Sequence, residues 1–591
     1  MRILVLALAL IACHSSSPAT RPPPAPALPI AQAASNILRA DYAGSAACAD
    51  CHDKIYASWQ ASPMRNMTRD ARTATIRAPF DGATLRVGPD TATMVMEGKE
   101  RVVRVTTKAG TQRWTVTKVV GGRYREDFVG VAEGETVEHV LPATYVFATK
   151  SWRYKGYSVM IKERPAMSVR GQWSQECIGC HNTLPLSTML YDELYGPKLP
   201  PYQGKLSDRV LPRSKVWTAT ARDREGLVAW LASEIRFLGA SPPEAPTLDA
   251  LLPAAATASE QRLDGAHLVE LGIGCEACHN GAKLHAANSD VKPAYEARSS
   301  LLDVAPPQGQ QGTRAQWINH TCAKCHTVLF TRYPWTWEGG LRSKDPGGSS
   351  ISSGEGRDYQ LGGCASRMAC TPCHDPHVAD PAEKLAQLAT PAGNATCTTG
   401  CHPQFAAAGA VEQHAHHQPG SAGTSCVACH MPKKNMGLDY GMVRYHRIGS
   451  ATDPRRVTGD RPLECALCHA DKSVESIVTT MESWYGKTFD RDKLRALYGA
   501  DLGVNALRAT LERGKPHEQA VAISVLGDLK DTTAVPAIAA QLAHDYPLVR
   551  YFAQRALQTI TGDPVAIDVG ATAADVRRAT EAWLRATSAH R

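Results

Sequence analysis

Sixteen of the eighteen cysteines stand in eight close pairs, and a histidine follows the second cysteine every time. Seven pairs read Cys-x-x-Cys-His: Cys48, Cys51 and His52; Cys177, Cys180 and His181; Cys275, Cys278 and His279; Cys322, Cys325 and His326; Cys370, Cys373 and His374; Cys426, Cys429 and His430; Cys465, Cys468 and His469. The remaining pair, Cys397 and Cys401 with His402, carries one more residue between its cysteines, "CTTGCH". Zinc ribbons also use Cys-x-x-Cys, but they do not need a histidine after every second cysteine. Iron–sulfur clusters use other spacings, and disulfides would leave the histidines unexplained. One chemistry needs all three residues together. Two thiols bond the two vinyl groups of a haem, and the next residue falls beneath the iron as an axial ligand. The pattern predicts eight covalently bound haems of the c type, with those eight histidines as proximal ligands. "CTTGCH" is expected to be a genuine site whose longer loop bulges. Cys364 lies outside every pair and is expected to be a buried free thiol.

Second ligands come from the other thirteen histidines. His14, His517, His544 and His590 lie away from the haem region, leaving His139, His267, His285, His320, His377, His414, His416, His417 and His446. Nine candidates for eight iron faces predict mostly bis-His, six-coordinate haems, which carry electrons because no face is free for a substrate. His377 follows His374 by three residues, cannot reach the same iron, and is expected to serve a neighbouring haem; His285 is placed similarly. His414 and His417 stand just upstream of the seventh unit, and His446 precedes the eighth. Met64 or Met67, in "SPMRNM", could supply a thioether ligand, which raises reduction potential. The first two units have the fewest histidines nearby, so an open iron is expected there. No catalytic residue stands out. The alternative to a carrier is a reductase acting on nitrite, hydroxylamine or a sulfur oxyanion at one open iron.

The rest of the chain fits around these units. Residues 1–12 have one early Arg and a short apolar run, the pattern of an export signal. Leu10, Ile11, Ala12 and Cys13 resemble the bacterial lipobox, which implies acylation of Cys13 and a membrane anchor. His14 rather than Asp after it favours the outer membrane, on the periplasmic or the outer face. Residues 13–40 read as a Pro/Ser/Ala-rich tether. A first haem segment spans 41–76, with a short helix after the motif. In 77–165 the pattern alternates apolar and polar residues, predicting a small antiparallel β insertion with Trp114 and Val116 on one side and Thr115 and Thr117 on the other. A second haem segment spans 166–240, a Pro/Ala-rich link follows, and 260–480 form a six-haem core with little regular structure. In 491–591, "HEQAVAISVLGDL" and "PLVRYFAQRALQTI" superpose, matching Ala522 with Ala553, Leu526 with Leu557 and Leu529 with Ile560, as HEAT-like helical repeats do. Fold class is therefore mainly α, with the haems replacing part of an apolar interior. The net charge of +8 is mild and scattered, which excludes a nucleic-acid surface.

"GSAACADCHDKIYASWQASPM", "GIGCEACHNGAKLH", "CTPCHDPH", "HHQPGSAGTSCVACHMP" and "CALCHADKS" resemble multihaem c-type cytochromes of bacteria that carry C-terminal helical repeats. The stretch from His267 also resembles the tetrahaem arrangement of hydroxylamine-oxidoreductase-like electron carriers. That resemblance implies that a histidine a few residues past one motif, here His285, ligates a nearby haem. It further implies redox protein partners, docking through the C-terminal repeats. Ala-Lys after Gly281, where relatives show Pro-Gly-Ser, and the widened sixth unit depart from the pattern.

Overall fold

The computed structural model describes residues 35–155, 167–169, 171–195, 211, 213–327, 354–437, 439 and 441–589. The signal, Cys13 and most of the tether lie outside the described residues.

The β region is larger than the small insertion expected. Eight strands form one antiparallel sheet: β1 (Thr68–Asp70), β2 (Asp81–Val87), β3 (Asp90–Glu97), β4 (Glu100–Thr107), β5 (Gly110–Gly121), β6 (Arg125–Ala132), β7 (Glu138–Val146) and β8 (Ser151–Tyr154). β2 to β8 follow one another as a meander. The long β5 is shared, its first half paired with β4 and its last residues with β1. Alternation along the strands separates two faces. Trp114, Val116, Phe128 and Leu141 point into the sheet's own core, whereas Val120, Val129 and Val140 pack outward on Trp173, Cys177 and Ile178. That outer face is the wall against which the second Cys pair is set.

The Pro/Ala-rich link is mostly helix. Thr247 caps Leu248–Arg262 by accepting the Ala250 N–H, and Leu248, Leu251, Leu252 and Ala255 are buried with Leu227 and Leu231 of the helix Arg224–Phe237. Alanine's helix propensity and one apolar face outweigh Pro253. From Cys275 to His469 the elements are short, as expected. Examples are Lys283–Ala287, Arg314–Ala323, Glu355–Leu361, Ala382–Leu388 and Ala410–Ala415.

Beyond His469 the chain becomes a helical region with an ordinary apolar core. The helices Pro516–Asp528 and Pro547–Thr561 pack directly on each other. Ala522, Ala553, Leu526, Leu557 and Ile560 are buried as their periodicity predicts, but Leu529, matched to Ile560, is 53% exposed. It caps its helix just past the last buried turn. Among the described residues no helix is long and apolar enough to cross a membrane.

Candidate metal centres

Each Cys pair begins with a backbone clasp. The histidine N–H donates to the carbonyl of the first cysteine: His52 to Cys48 at 3.0 Å, His181 to Cys177 at 3.1 Å, His326 to Cys322 at 3.0 Å, His374 to Cys370 at 3.0 Å and His469 to Cys465 at 2.9 Å. In the third and seventh pairs the whole motif is a short helix. The clasp survives in "CTTGCH": His402 N–H donates to the Cys397 carbonyl at 3.1 Å across the longer loop. Gly400 absorbs the extra residue at φ +89°, in the left-handed region where glycine carries no Cβ penalty.

Five of the eight motif imidazoles face a second imidazole, and in each case the second comes from outside the motifs. His52 faces His285 with ring centroids 6.1 Å apart, His279 faces His377 at 6.3 Å, His374 faces His446 at 6.0 Å, His430 faces His414 at 6.2 Å and His469 faces His417 at 5.9 Å. Ordinary ring contacts of histidine here vary more, from 4.3 Å for His320 on Trp217 to 6.5 Å for His402 near Phe405. Two imidazoles that share one ion at about 2 Å per nitrogen have centroids about 6 Å apart. The clustering matches that spacing.

The hydrogen bonds agree. His285 Nδ1 lies 2.8 Å from the Val291 carbonyl, His446 Nδ1 2.9 Å from that of Arg444, His417 Nδ1 2.5 Å from that of Ala415, and His430 Nδ1 2.9 Å from that of Gly449. His377 Nδ1 is 3.1 Å from Asp375 Oδ1. A carbonyl can only accept, so Nδ1 carries the proton and Nε2 keeps its lone pair, the tautomer a metal requires. Burial lowers the pKa of His279, His374 and His181 to about 4 and also lowers that of His430. This favours the neutral form that binds metal. His326 is the exception. Burial would lower it too, but the Glu355 carboxylate 3.5 Å from Nδ1 prevails and raises it to about 9.

The thiols show which units are neighbours. Cys48 touches Cys275, Cys180 touches Cys325, Cys322 touches Cys370, and Cys397 touches Cys426. Cys278 lies within electrostatic reach of Cys322 and Cys325, Cys373 of Cys397, and Cys429 of Cys465. Taken in space, the units run first, third, fourth, fifth, sixth, seventh, eighth, with the second joined at the fourth. No disulfide joins the described cysteines. Cys364 is half-buried rather than buried and lies near Cys397 and Cys401.

Other expectations need correction. At the first unit, where an open iron is expected, His285 faces His52 from a distant part of the chain. The Met64 carbonyl accepts the Ile273 N–H at 3.0 Å. His139 shares the inner face of β7 with Leu141 and packs edge-on to Trp114, whereas Val140, on the opposite face, meets Cys177. His267 pairs with Asp264 at 2.8 Å and lies against Phe237. His320 stacks on Trp217, its buried Nε2 without a hydrogen bond. Among the described residues, His181, His326 and His402 have no second imidazole at the 6 Å spacing. His416 stacks on Trp484 at 4.7 Å and, at φ 54°, turns the chain so that His414 and His417 serve different units. Sequence reasoning missed Glu355, Asp375 and the carbonyl partners. Carbonyls leave no trace in residue identity, and Glu355 reaches His326 only through folding.

Among the described residues one further cluster could hold an ion without haem: Asp460, His517 and Glu518. The Lys434 ammonium already pairs with Asp460, and the Arg461 guanidinium lies 2.9 Å from Glu518. Protein cations occupy that role, so the cluster is a buried ion-pair network.

No family model and no curated protein sequence matches the chain. Among solved structures, the outer cell wall cytochrome OcwA aligns with a TM-score of 0.39 and 14% identity, over 88% of this chain and 100% of that one. The functional reading therefore rests on the Cys pairs and on the histidine geometry.

Proposed function

We propose that the chain is an exported multihaem c-type cytochrome that moves electrons through eight covalently bound haems. The observation that carries this reading is the set of five facing imidazole pairs, each joining a motif histidine to one from elsewhere, with the Nδ1 of one ring in every pair engaged. The residues fit the group. Sixteen cysteines supply two thioethers per haem, and His52, His181, His279, His326, His374, His402, His430 and His469 are the proximal ligands. His285, His377, His446, His414 and His417 are the distal ligands of the first, third, fifth, seventh and eighth units. Bound haem supplies a one-electron ferric/ferrous couple. The chain's own part is to hold spacing, exclude water and fill both axial positions, so that little reorganises when an electron passes. Thiol contact between neighbouring units supports one connected path with a side branch at the second. Attachment to a membrane through Cys13, placement at the outer membrane, and docking of a redox protein on the HEAT-like C-terminal helices complete the proposal.

A second reading is favoured by one observation: His181, His326 and His402 face no described imidazole at the ligand spacing. One of these irons would then be open to nitrite, hydroxylamine or a sulfur oxyanion. Intact mass and haemochrome absorbance of the purified protein test the first reading; eight haems per chain are expected, and zinc or no added mass overturns it. Dithionite-reduced spectra separate the two, since a high-spin fraction that shifts on adding nitrite supports the reductase.

A further inference from the structure

Among the described residues, Glu355 is the one carboxylate within ion-pair distance of a motif imidazole. It opens the helix Glu355–Leu361, whose first N–H groups close on the fourth unit. Gly356 N–H donates to the His326 carbonyl at 2.7 Å and Arg357 N–H to the same oxygen at 3.4 Å. A Cβ on Gly356 would sit 2.9 Å from that oxygen and 3.0 Å from Ala323 Cα, so the helix and the motif approach as closely as a glycine permits. This clamp sets Glu355 Oε2 at 3.5 Å from His326 Nδ1. Oε2 is buried and has no hydrogen-bond partner among the described residues, so His326 Nδ1, at ion-pair distance, is the polar atom it faces. The comparison with Asp375 is instructive. That carboxylate also meets an imidazole, His377, but both side chains are about 40% exposed and water screens the pair. The Glu355 side chain is 25% exposed with its facing oxygen enclosed, while the His326 ring is 51% exposed.

We infer that Glu355 is a positioning residue that tunes the fourth haem, holding its potential below that of its neighbours. The inference deepens the proposed electron-transfer function and rests on it. A carboxylate that accepts the Nδ1 proton makes the imidazole a stronger donor at Nε2. Stronger donation, together with a negative charge close by, stabilises ferric over ferrous iron and lowers the potential. The four carbonyl-bonded histidines lack that charge. The position magnifies the consequence, because the fourth unit's cysteines adjoin those of the second, third and fifth. A low-potential haem at a junction raises the barrier to transfer among the arms that meet there.

The test is a spectroelectrochemical titration of the holoprotein carrying Glu355→Gln, with haem content measured alongside. One-eighth of the α-band amplitude should move to higher potential while seven-eighths stay in place and eight haems remain. Glu355→Asp, which keeps the charge with a shorter reach, should give a partial shift, and it decides the matter if the Gln variant retains fewer haems. Titration curves of the variants that superpose on the parent with full haem content overturn the inference and leave the proposed function intact. A parent protein without covalent haem overturns the proposed function itself.

Discussion

The described residues 306–327 and 354–435 and the residues 474–576 are built on different interiors. The C-terminal stretch packs Val478, Leu494, Leu507, Ile523, Leu526, Ile538, Leu548, Phe552 and Leu557 into one apolar cluster. No described residue of 306–435 belongs to any of the apolar clusters, and its buried apolar side chains are few, among them Trp317, Ile318 and Tyr359. That stretch holds four of the eight Cys pairs. A chain that buries so little apolar surface of its own cannot offset the conformational entropy of ordering. Under the proposed function porphyrins would supply the missing surface, and folding and haem attachment would be coupled there, as metal binding and folding are in small metal domains. The C-terminal helices have no such dependence.

The largest expected effect breaks the two regions apart. Chain produced without haem attachment should lose all protease protection across 306–435, while fragments covering 474–576 stay resistant; equal sensitivity of both would refute the contrast. Next in size, Leu557→Ala should cost the C-terminal helices about 2–5 kcal/mol, the usual range for emptying a buried leucine site. Urea denaturation followed by far-UV dichroism would show it, with the haem bands unmoved. His285→Ala acts only on the haem side. It should convert one haem in eight from low to high spin, read by electron paramagnetic resonance, with little change in denaturation midpoint.

A pH effect should also appear in the C-terminal helices. Burial lowers His544 from its ordinary 6.5 to about 4, and its ring hydrogen-bonds Gln519 and the Tyr546 N–H. The unfolded chain therefore binds the proton more readily than the folded one. The stabilising contribution is complete above pH 6.5 and is lost as pH falls toward 4. His544→Gln should flatten that slope in the urea midpoint. The smallest effect is expected from Gly400→Ala, about 1–2 kcal/mol of backbone strain at positive φ. Its readout is reduced haem occupancy at the sixth unit alone, measured by the mass of the peptide spanning Cys397 and Cys401.

Legibility followed the range of the interaction. The Cys pairs could be read because attachment chemistry demands residues adjacent in sequence, and the widened unit because its clasp spans only one more residue. The helix Pro516–Asp528 was visible in its apolar repeat, and β5 in its alternation. His377 could be excluded from its own iron by short-range reach. The partner of His52 could not be found this way, because His285 meets it through the packing of distant segments. His139 was a candidate by residue type alone, and strand alternation turns it toward Trp114 and away from Cys177. The Ala-rich link was misread because its proline signal is local, whereas its buried leucines have meaning only against Arg224–Phe237.

The amino-acid sequence alone determined how many Cys-pair motifs the chain carries and which histidine follows each, since the proposed thioether and axial bonds would act over a few covalent links. Only the tertiary structure decided which second imidazole faces which first, the order of the units in space, and the placement of Glu355 beside His326. Those depend on where segments far apart in the chain come to rest, and that is set by the summed packing of the sheet, the short helices and the C-terminal core rather than by any one motif.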